Sequence, residues 1–194
     1  MMVTEIATKT DSFQNAFQAL QESQTAAAAS WLQRLRENAM ARIEEVGFPT
    51  TKDEEWKYTN VAPIAKAGFR PLLPEETATA DVDFSSFGIP ETKDSRLVFI
   101  NGRLRTDLSS LTALPAEVVL LDLSQAVADE RYSEIVREHL ARHADFVINS
   151  FTALNTAFID HGAFVYIPKG VTVAVPLNLL FISDATGEIG RAHV

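Results

Sequence analysis

Cysteine is missing from all 194 residues. Its absence excludes a disulfide framework, a thiolate zinc site and any metal cluster held by thiolates of this chain, and it fits a cytoplasmic setting. Glycine-rich nucleotide loops are missing too, since neither Gly-x-Gly-x-x-Gly nor Gly-x-x-x-x-Gly-Lys-Ser/Thr occurs. No serine sits in Gly-x-Ser-x-Gly, so the strained elbow that activates a hydrolase serine is not encoded. Long apolar runs are scarce. The longest, Val171 to Ile182, is interrupted by Pro176 and Asn178, and Met1 to Phe13 lacks the basic-then-apolar order of a secretory signal. Basic residues are few, with 17 Lys+Arg against 26 Asp+Glu and a formal charge of -9. Phosphate neutralisation needs clustered cations, and Lys52, Lys57 and Lys66 make no such patch. The acids, as at Glu75-Glu76, Asp81, Asp83 and Asp129-Glu130, are scattered, which reads as solvation and not as a metal site.

What is present is an ordinary globular composition, 46% hydrophobic and 22% charged, enough for one or two domains. Phe13, Phe17 and Leu20 fall at helical spacing behind Asp11 or Ser12, and predict a first short helix. From Thr25 to Val46, Ala28, Trp31, Leu32, Leu35, Ala39, Ile43 and Val46 keep the 3.6-residue period up to Gly47, a suitable residue after a helix end. The first helix and the Trp56 to Tyr58 segment are the expected partners of that stripe. Residues 1–66 are therefore expected to form an N-terminal helical module.

Residues 67–94 carry Pro71, Pro74, Pro90, a Thr-Ala tract and no sustained period, and read as a linker that docks through Phe84 and Phe87. Arg96 to Ile100, Asn101-Gly102 and Arg103 to Thr106 make a hairpin, because Asn-Gly accepts the positive φ angles of a type I′ turn. Val118 to Leu123 reads as a buried strand, Ser124 as the cap of a short helix, and Tyr132 to His143 and Val147 to Phe158 as further helices. The last is expected to bury Phe151, Leu154 and Phe158. Residues 95–162 thus form a hairpin plus helices. After Gly162 the period shortens. Ala163 to Ile167, Val171 to Val175 and Leu177 to Ser183 are β-rich runs divided by turn residues, the pattern of a solenoid or a sandwich.

Two histidine features compete with plainer readings. His139 and His143 are four apart on the expected helix, but the glutamate of His-Glu-x-x-His is missing and Leu140 stands in its place. They read as structural or solvated. Asp160-His161-Gly162 reads as a plain turn, with His161 as a base only if the chain were an enzyme. No catalytic, cofactor-binding or metal-ligating residue is assigned.

The segment from Pro49 to Thr59 combines a helix stop at Gly47 and Pro49, a capping box of Thr51 with Glu54, and the aromatics Trp56 and Tyr58. It reads as a structural or docking element comprising Trp56, Lys57, Tyr58 and Thr59. The order Pro49-x-x-Lys52-x-Glu54-x-Trp56-Lys57-Tyr58-Thr59 resembles the N-terminal signature of SufD subunits, in the SufB/SufD family of the SUF iron-sulfur cluster assembly system. Leu97 to Arg103 with Leu108-Ser109 is similar to a hairpin of that family. Val165 to Val171 with Val175-Pro176-Leu177 is similar to the start of its β-helical core.

The resemblance runs from about Trp31 to Val194, and SufD proteins are more than twice this long, so an N-terminal fragment is expected. It implies an α+β fold leading into the first strands of a right-handed parallel β-helix over residues 163–194, truncated there. It also implies a non-enzymatic scaffold acting with a SufB-like subunit and a SufC-like ATPase, whose contact regions lie mostly beyond Val194. An iron-sulfur cluster is implied only for the complete complex. Two other readings stand beside it: a β-helical acyltransferase with His161 as base, for which the hexapeptide repeats are missing, and a free-standing interaction module.

Overall fold

The computed structural model describes residues 13–22, 30–66, 87 and 89–183. Helix α1 covers residues 13–22 and α2 spans Ser30–Val46. The stripe on α2 is centred on Leu32, Arg36, Ala39, Met40 and Ile43, all buried, while Trp31 and Leu35 are half-covered and Val46 is exposed. Gly47 ends the helix at φ 65°, donating its N–H to the Ile43 carbonyl at 2.8 Å. That is the left-handed cap a glycine adopts without a Cβ penalty. Thr25 and the other residues before Ser30 lie outside the described set, as do Asp11 and Ser12.

The surface that covers α2 comes from further along the chain than expected. Helix α6, Ser150–Ala157, packs extensively on it, and α1 completes the group. Phe17, Leu20, Met40, Ile43 and Phe158 fill this core around Ala39, Ala153 and Ala157, none of which has any exposure. Alanines at the seam let two helix backbones approach closely, and each large apolar side chain buried here contributes roughly 1.5–3 kcal/mol. Asn149 starts α6 by accepting hydrogen bonds from the N–H groups of Phe151 (2.9 Å) and Thr152 (3.2 Å). The helix begins later than Val147 for that reason. Of the three residues expected to be buried on it, Phe158 is, whereas Phe151 and Leu154 are half-covered.

Helix α3, Ala62–Lys66, follows the Pro49 to Thr59 segment. Beyond it, Phe84 lies outside the described residues, and Phe87 is exposed, so no insertion into a groove is seen there. The hairpin forms as its turn chemistry dictates. Strand β1, Arg96–Ile100, pairs antiparallel with β2, Arg103–Leu104, through Asn101 at φ 50° and Gly102 at φ 79°. Leu97 to Ile100 are all buried, as an unbroken apolar run covered on both faces must be.

Strand β3, Val119–Asp122, leads directly into α4, Leu123–Ala128. The cap of α4 is Asp122 and not Ser124: Asp122 accepts from Ser124 N–H, and the Gln125 side chain accepts from Asp122 N–H at 3.2 Å, a reciprocal capping box. Helix α5, Ser133–His139, is shorter than the expected Tyr132 to His143 because Leu140 turns extended and Ala141 takes φ 57°. His139 and His143 therefore do not share a helical face.

After Gly162, β4, Ala163–Tyr166, pairs antiparallel with β3, while β5, Asn178–Ile182, joins β1 in parallel and in register, giving the order β2-β1-β5. Asn178 is anchored by its N–H to the Ser95 carbonyl at 2.9 Å, and the buried Ser95 hydroxyl donates to the Pro176 carbonyl at 2.7 Å. The expected strand over Val171 to Val175 does not form, since no ladder pairs it among the described residues. The architecture is α+β, with six α-helices and two small sheets among the described residues. The coil of a right-handed parallel β-helix is not seen among them. One parallel pair, β1 with β5, is.

Candidate functional site

The Pro49 to Thr59 segment is organised differently from the expected capping box. Asp53, not Thr51, closes the loop: its carboxylate accepts from the Thr50 N–H at 2.7 Å and the Thr50 hydroxyl at 3.1 Å, which holds the acid below its ordinary pKa. Thr51 sits at the exposed tip, too far forward in the turn to cap the short 3₁₀ segment Glu54–Trp56. The Pro49 to Thr59 segment aims its two aromatics, Trp56 and Tyr58, in opposite directions. Trp56 turns inward, its ring 5.4 Å from Phe151, and Phe151 continues the row to Phe48 at 5.6 Å and from there to Phe13 at 6.0 Å. Tyr58 is 92% exposed, with the Lys57 ammonium 5.7 Å from its ring centre. Thr59 is exposed and donates its N–H to the Trp56 carbonyl at 2.9 Å. Of the four residues singled out, Trp56 is held by the aromatic row, and Lys57, Tyr58 and Thr59 form an outward face.

A second constellation gathers around His161, where a plain turn was expected. Its Nδ1 lies 3.0 Å from Asp122 Oδ1, an oxygen that also accepts from the Ser124 hydroxyl at 2.7 Å. Its Nε2 lies 2.8 Å from the Arg103 guanidinium and 3.2 Å from Asp160 Oδ2. Asp160 in turn bonds Arg36 at 3.1 Å, and Arg36 Nε donates to the Ile159 carbonyl at 2.7 Å. The backbone closes the arrangement, with Leu123 N–H donating to the Gly162 carbonyl at 2.8 Å. One compact polar cluster thus joins α2, β2, the β3–α4 junction and the α6–β4 connection.

Its electrostatics follow from burial and pairing. Arg36 is 3% exposed; burial pulls its pKa down against the pull of Asp160, and a guanidinium remains charged regardless. Burial would raise Asp122, but His161 and Ser124 hydrogen bonds outweigh it and hold the acid below its usual value. For His161 burial favours the neutral ring, yet Asp122 and Asp160 prevail and raise its pKa above 6.5. A neutral ring donates from Nδ1 to Asp122 and accepts from Arg103; a protonated one donates to both carboxylates.

This geometry decides what the cluster can do chemically. A general base needs a free lone pair within reach of its substrate. The His161 lone pair at Nε2 faces a guanidinium, and the nearby hydroxyl, Ser124, serves Asp122. The arrangement is that of an ionic clamp, and the acyltransferase reading finds no support in it. Among the described residues no group of three or more His, Asp or Glu is placed to hold a metal.

Arg36 left a signal in the sequence, as an arginine at the centre of an apolar stripe. Asp122 left another, as an Asp-x-x-Gln cap between a strand and a helix. Asp160 stood in view beside His161 in the Asp160-His161-Gly162 turn, whereas nothing local announced Arg103, which reaches His161 only through the fold.

Comparison with known proteins supplies the context. Residues 7–179 match the family model described as the SufBD protein N-terminal region. Over 149 residues the chain is 30% identical to an iron-sulfur cluster assembly SufBD family protein of Synechocystis sp., covering 76% of this chain and 32% of that protein. It is 32% identical over 128 residues to the iron-sulfur cluster assembly protein SufB of Bacillus subtilis, covering 63% of this chain and 26% of that protein. To SufD of the same organism it is 26% identical over 170 residues, covering 85% and 38%. The chain spans only 26% to 38% of the length of these relatives.

Proposed function

The chain belongs to the SufB/SufD family of iron-sulfur cluster assembly proteins, and from that premise we propose that it is the N-terminal part of a SufD-like scaffold subunit. The observation that carries this reading is the family match across residues 7–179. The SufD assignment rests on the Trp56-Lys57-Tyr58-Thr59 signature and on the 85% of this chain that aligns with the Bacillus SufD protein. The scaffold is non-enzymatic and acts with a SufB-like subunit and a SufC-like ATPase. Iron and sulfur are its cargo, held at the level of the complex; these 194 residues supply no cysteine ligand.

A β-helical core following this region is part of the same proposal. In-register parallel pairing of β1 with β5, with Phe99 stacked on Phe181 at 4.8 Å, is the contact that successive solenoid coils repeat. Val165, Ile167, Leu179 and Phe181 stay exposed on and beside β4 and β5, apolar surface that further strands would cover. Lys57, Tyr58 and Thr59 form the docking face of the helical part. A cytoplasmic site of action belongs to the proposal; no helix among the described residues is long and apolar enough to cross a membrane.

Co-expression of the full-length protein with SufB-like and SufC-like partners from the same genome tests the proposal. A complex that stays together through affinity purification and size-exclusion chromatography is expected. A folded full-length protein that recovers neither partner would overturn it.

A further inference from the structure

A cleft of about 460 Å³ lies between α2 and the stretch from α5 to Phe146. Its lining is of two kinds. Trp31, Leu35, Leu140 and Phe146, each half-covered, supply apolar surface, and Arg34 and Arg142 stand exposed among the lining residues. Arg137 is also present but is engaged by Glu134 in an ion pair. Neither Arg34 nor Arg142 makes an ion pair among the described residues, and both are exposed; Glu138 is the carboxylate of the same lining that stands outside the Arg137–Glu134 pair. In a chain of net charge -9 the cleft is a local inversion of sign, with three arginines against two glutamates.

The backbone that shapes the wall is strained. His139 to Arg142 form a type II turn, closed by the Arg142 N–H to the His139 carbonyl at 3.2 Å, with Leu140 at φ -62°, ψ 133° and Ala141 at φ 57°. That third position ordinarily takes glycine, and an alanine there costs on the order of 1 kcal/mol. The turn sets Leu140 and Arg142 on the cleft together, joining an apolar contact to a cation. Strained backbone held in place by its surroundings is a recurrent mark of ligand clamps.

We propose that this cleft binds an acidic, leucine-bearing peptide segment of a partner protein, apolar side chains entering between Trp31 and Phe146 and carboxylates pairing with Arg34 and Arg142. Charge complementarity selects this occupant, because a basic segment would meet exposed guanidinium groups and a purely apolar one would leave them unpaired. The inference is independent of which family subunit the chain corresponds to.

Fluorescence anisotropy with two labelled synthetic peptides of equal length tests it, one built of leucine and glutamate and the other of leucine and lysine. The acidic peptide is expected to bind in a salt-sensitive manner, and the doubly reversed variant Arg34→Glu/Arg142→Glu to weaken it about tenfold or more. Both arginines are exposed, so the variant should keep the parent's melting curve; if it does not, Arg34→Gln/Arg142→Gln replaces it. Equal binding of the two peptides, or unchanged affinity in the folded variant, overturns the proposal. So does self-association of the chain that is abolished by the same substitutions, which would make a second copy the occupant.

Discussion

His161 Nδ1 and Asp122 Oδ1 stand 3.0 Å apart, and the same histidine presents Nε2 to Arg103 at 2.8 Å and to Asp160 at 3.2 Å. A residue at the head of β4 is thereby held by a helix cap, a hairpin strand and its own neighbour. The ring's protonation state decides which of the Nε2 partners it bonds.

Stability should depend on pH through this contact. His161 has its folded pKa above 6.5, so its contribution is full below that value and is lost as pH rises through the folded pKa. Asp122 is held below 3.8, so its contribution is full above that value and is lost as pH falls through the folded pKa. Between 3.8 and 6.5 both are present. Urea denaturation at about pH 5.5 and about pH 8.5 should give a larger difference for the parent than for His161→Gln. Equal pH slopes for the two proteins would dissociate the histidine from the effect.

Arg36→Met should be among the most damaging single changes on α2. Removing one partner of a buried pair leaves the other uncompensated, at a cost of about 3 kcal/mol. Asp160 retains His161, which moderates the loss, and a double-mutant cycle with Asp160→Asn should give a coupling of about 1–3 kcal/mol. A change within about 0.5 kcal/mol for Arg36→Met would mean that the pair is energetically idle.

The two aromatics of the signature segment should separate cleanly. Trp56→Ala removes the outer, half-covered end of the row that runs inward through Phe151 and Phe48, and is expected to cost about 2 kcal/mol in chemical denaturation. Tyr58→Ala, at 92% exposure, should change stability by less than about 0.5 kcal/mol while weakening partner recovery in the co-purification experiment. The opposite ranking would reverse the assignment of core and docking roles.

Ala141→Gly should stabilise the fold by about 0.5–1 kcal/mol, because relief of left-handed strain exceeds the entropy a glycine adds to the unfolded chain. A raised melting temperature is the expected reading. A lowered one would show that the turn carries no strain.

Local chemistry was legible in the sequence and global pairing was not. The helical period of α2, its Gly47 stop and the Asn101-Gly102 turn follow from interactions between residues a few positions apart; the stop and the turn occur as expected, and the buried stripe keeps Leu32, Ala39 and Ile43 while taking in Arg36 and Met40 and leaving Val46 exposed. The errors also have local causes. Ser124 carries the right chemistry for capping, but Asp122 stands nearby with a carboxylate that accepts more strongly; the Asp53 carboxylate is turned back onto Thr50, and the short segment Glu54–Trp56 has no side-chain cap. The helix after Tyr132 kept its apolar pattern past His139, yet the backbone turned at Leu140.

By itself the sequence determined the α+β class, the hairpin, the absence of thiolate chemistry and the family signature, because these depend on composition, short-range periodicity and residue order. Tertiary structure alone decided that α2 lies on α6, that β5 adds in parallel to β1, that Trp56 faces inward while Tyr58 faces out, and that Arg36, Arg103, Asp122, Asp160 and His161 meet. The physical reason is that contacts between distant segments are chosen by which apolar faces fit together and which buried charges find partners, and neither is written in the spacing of neighbouring residues.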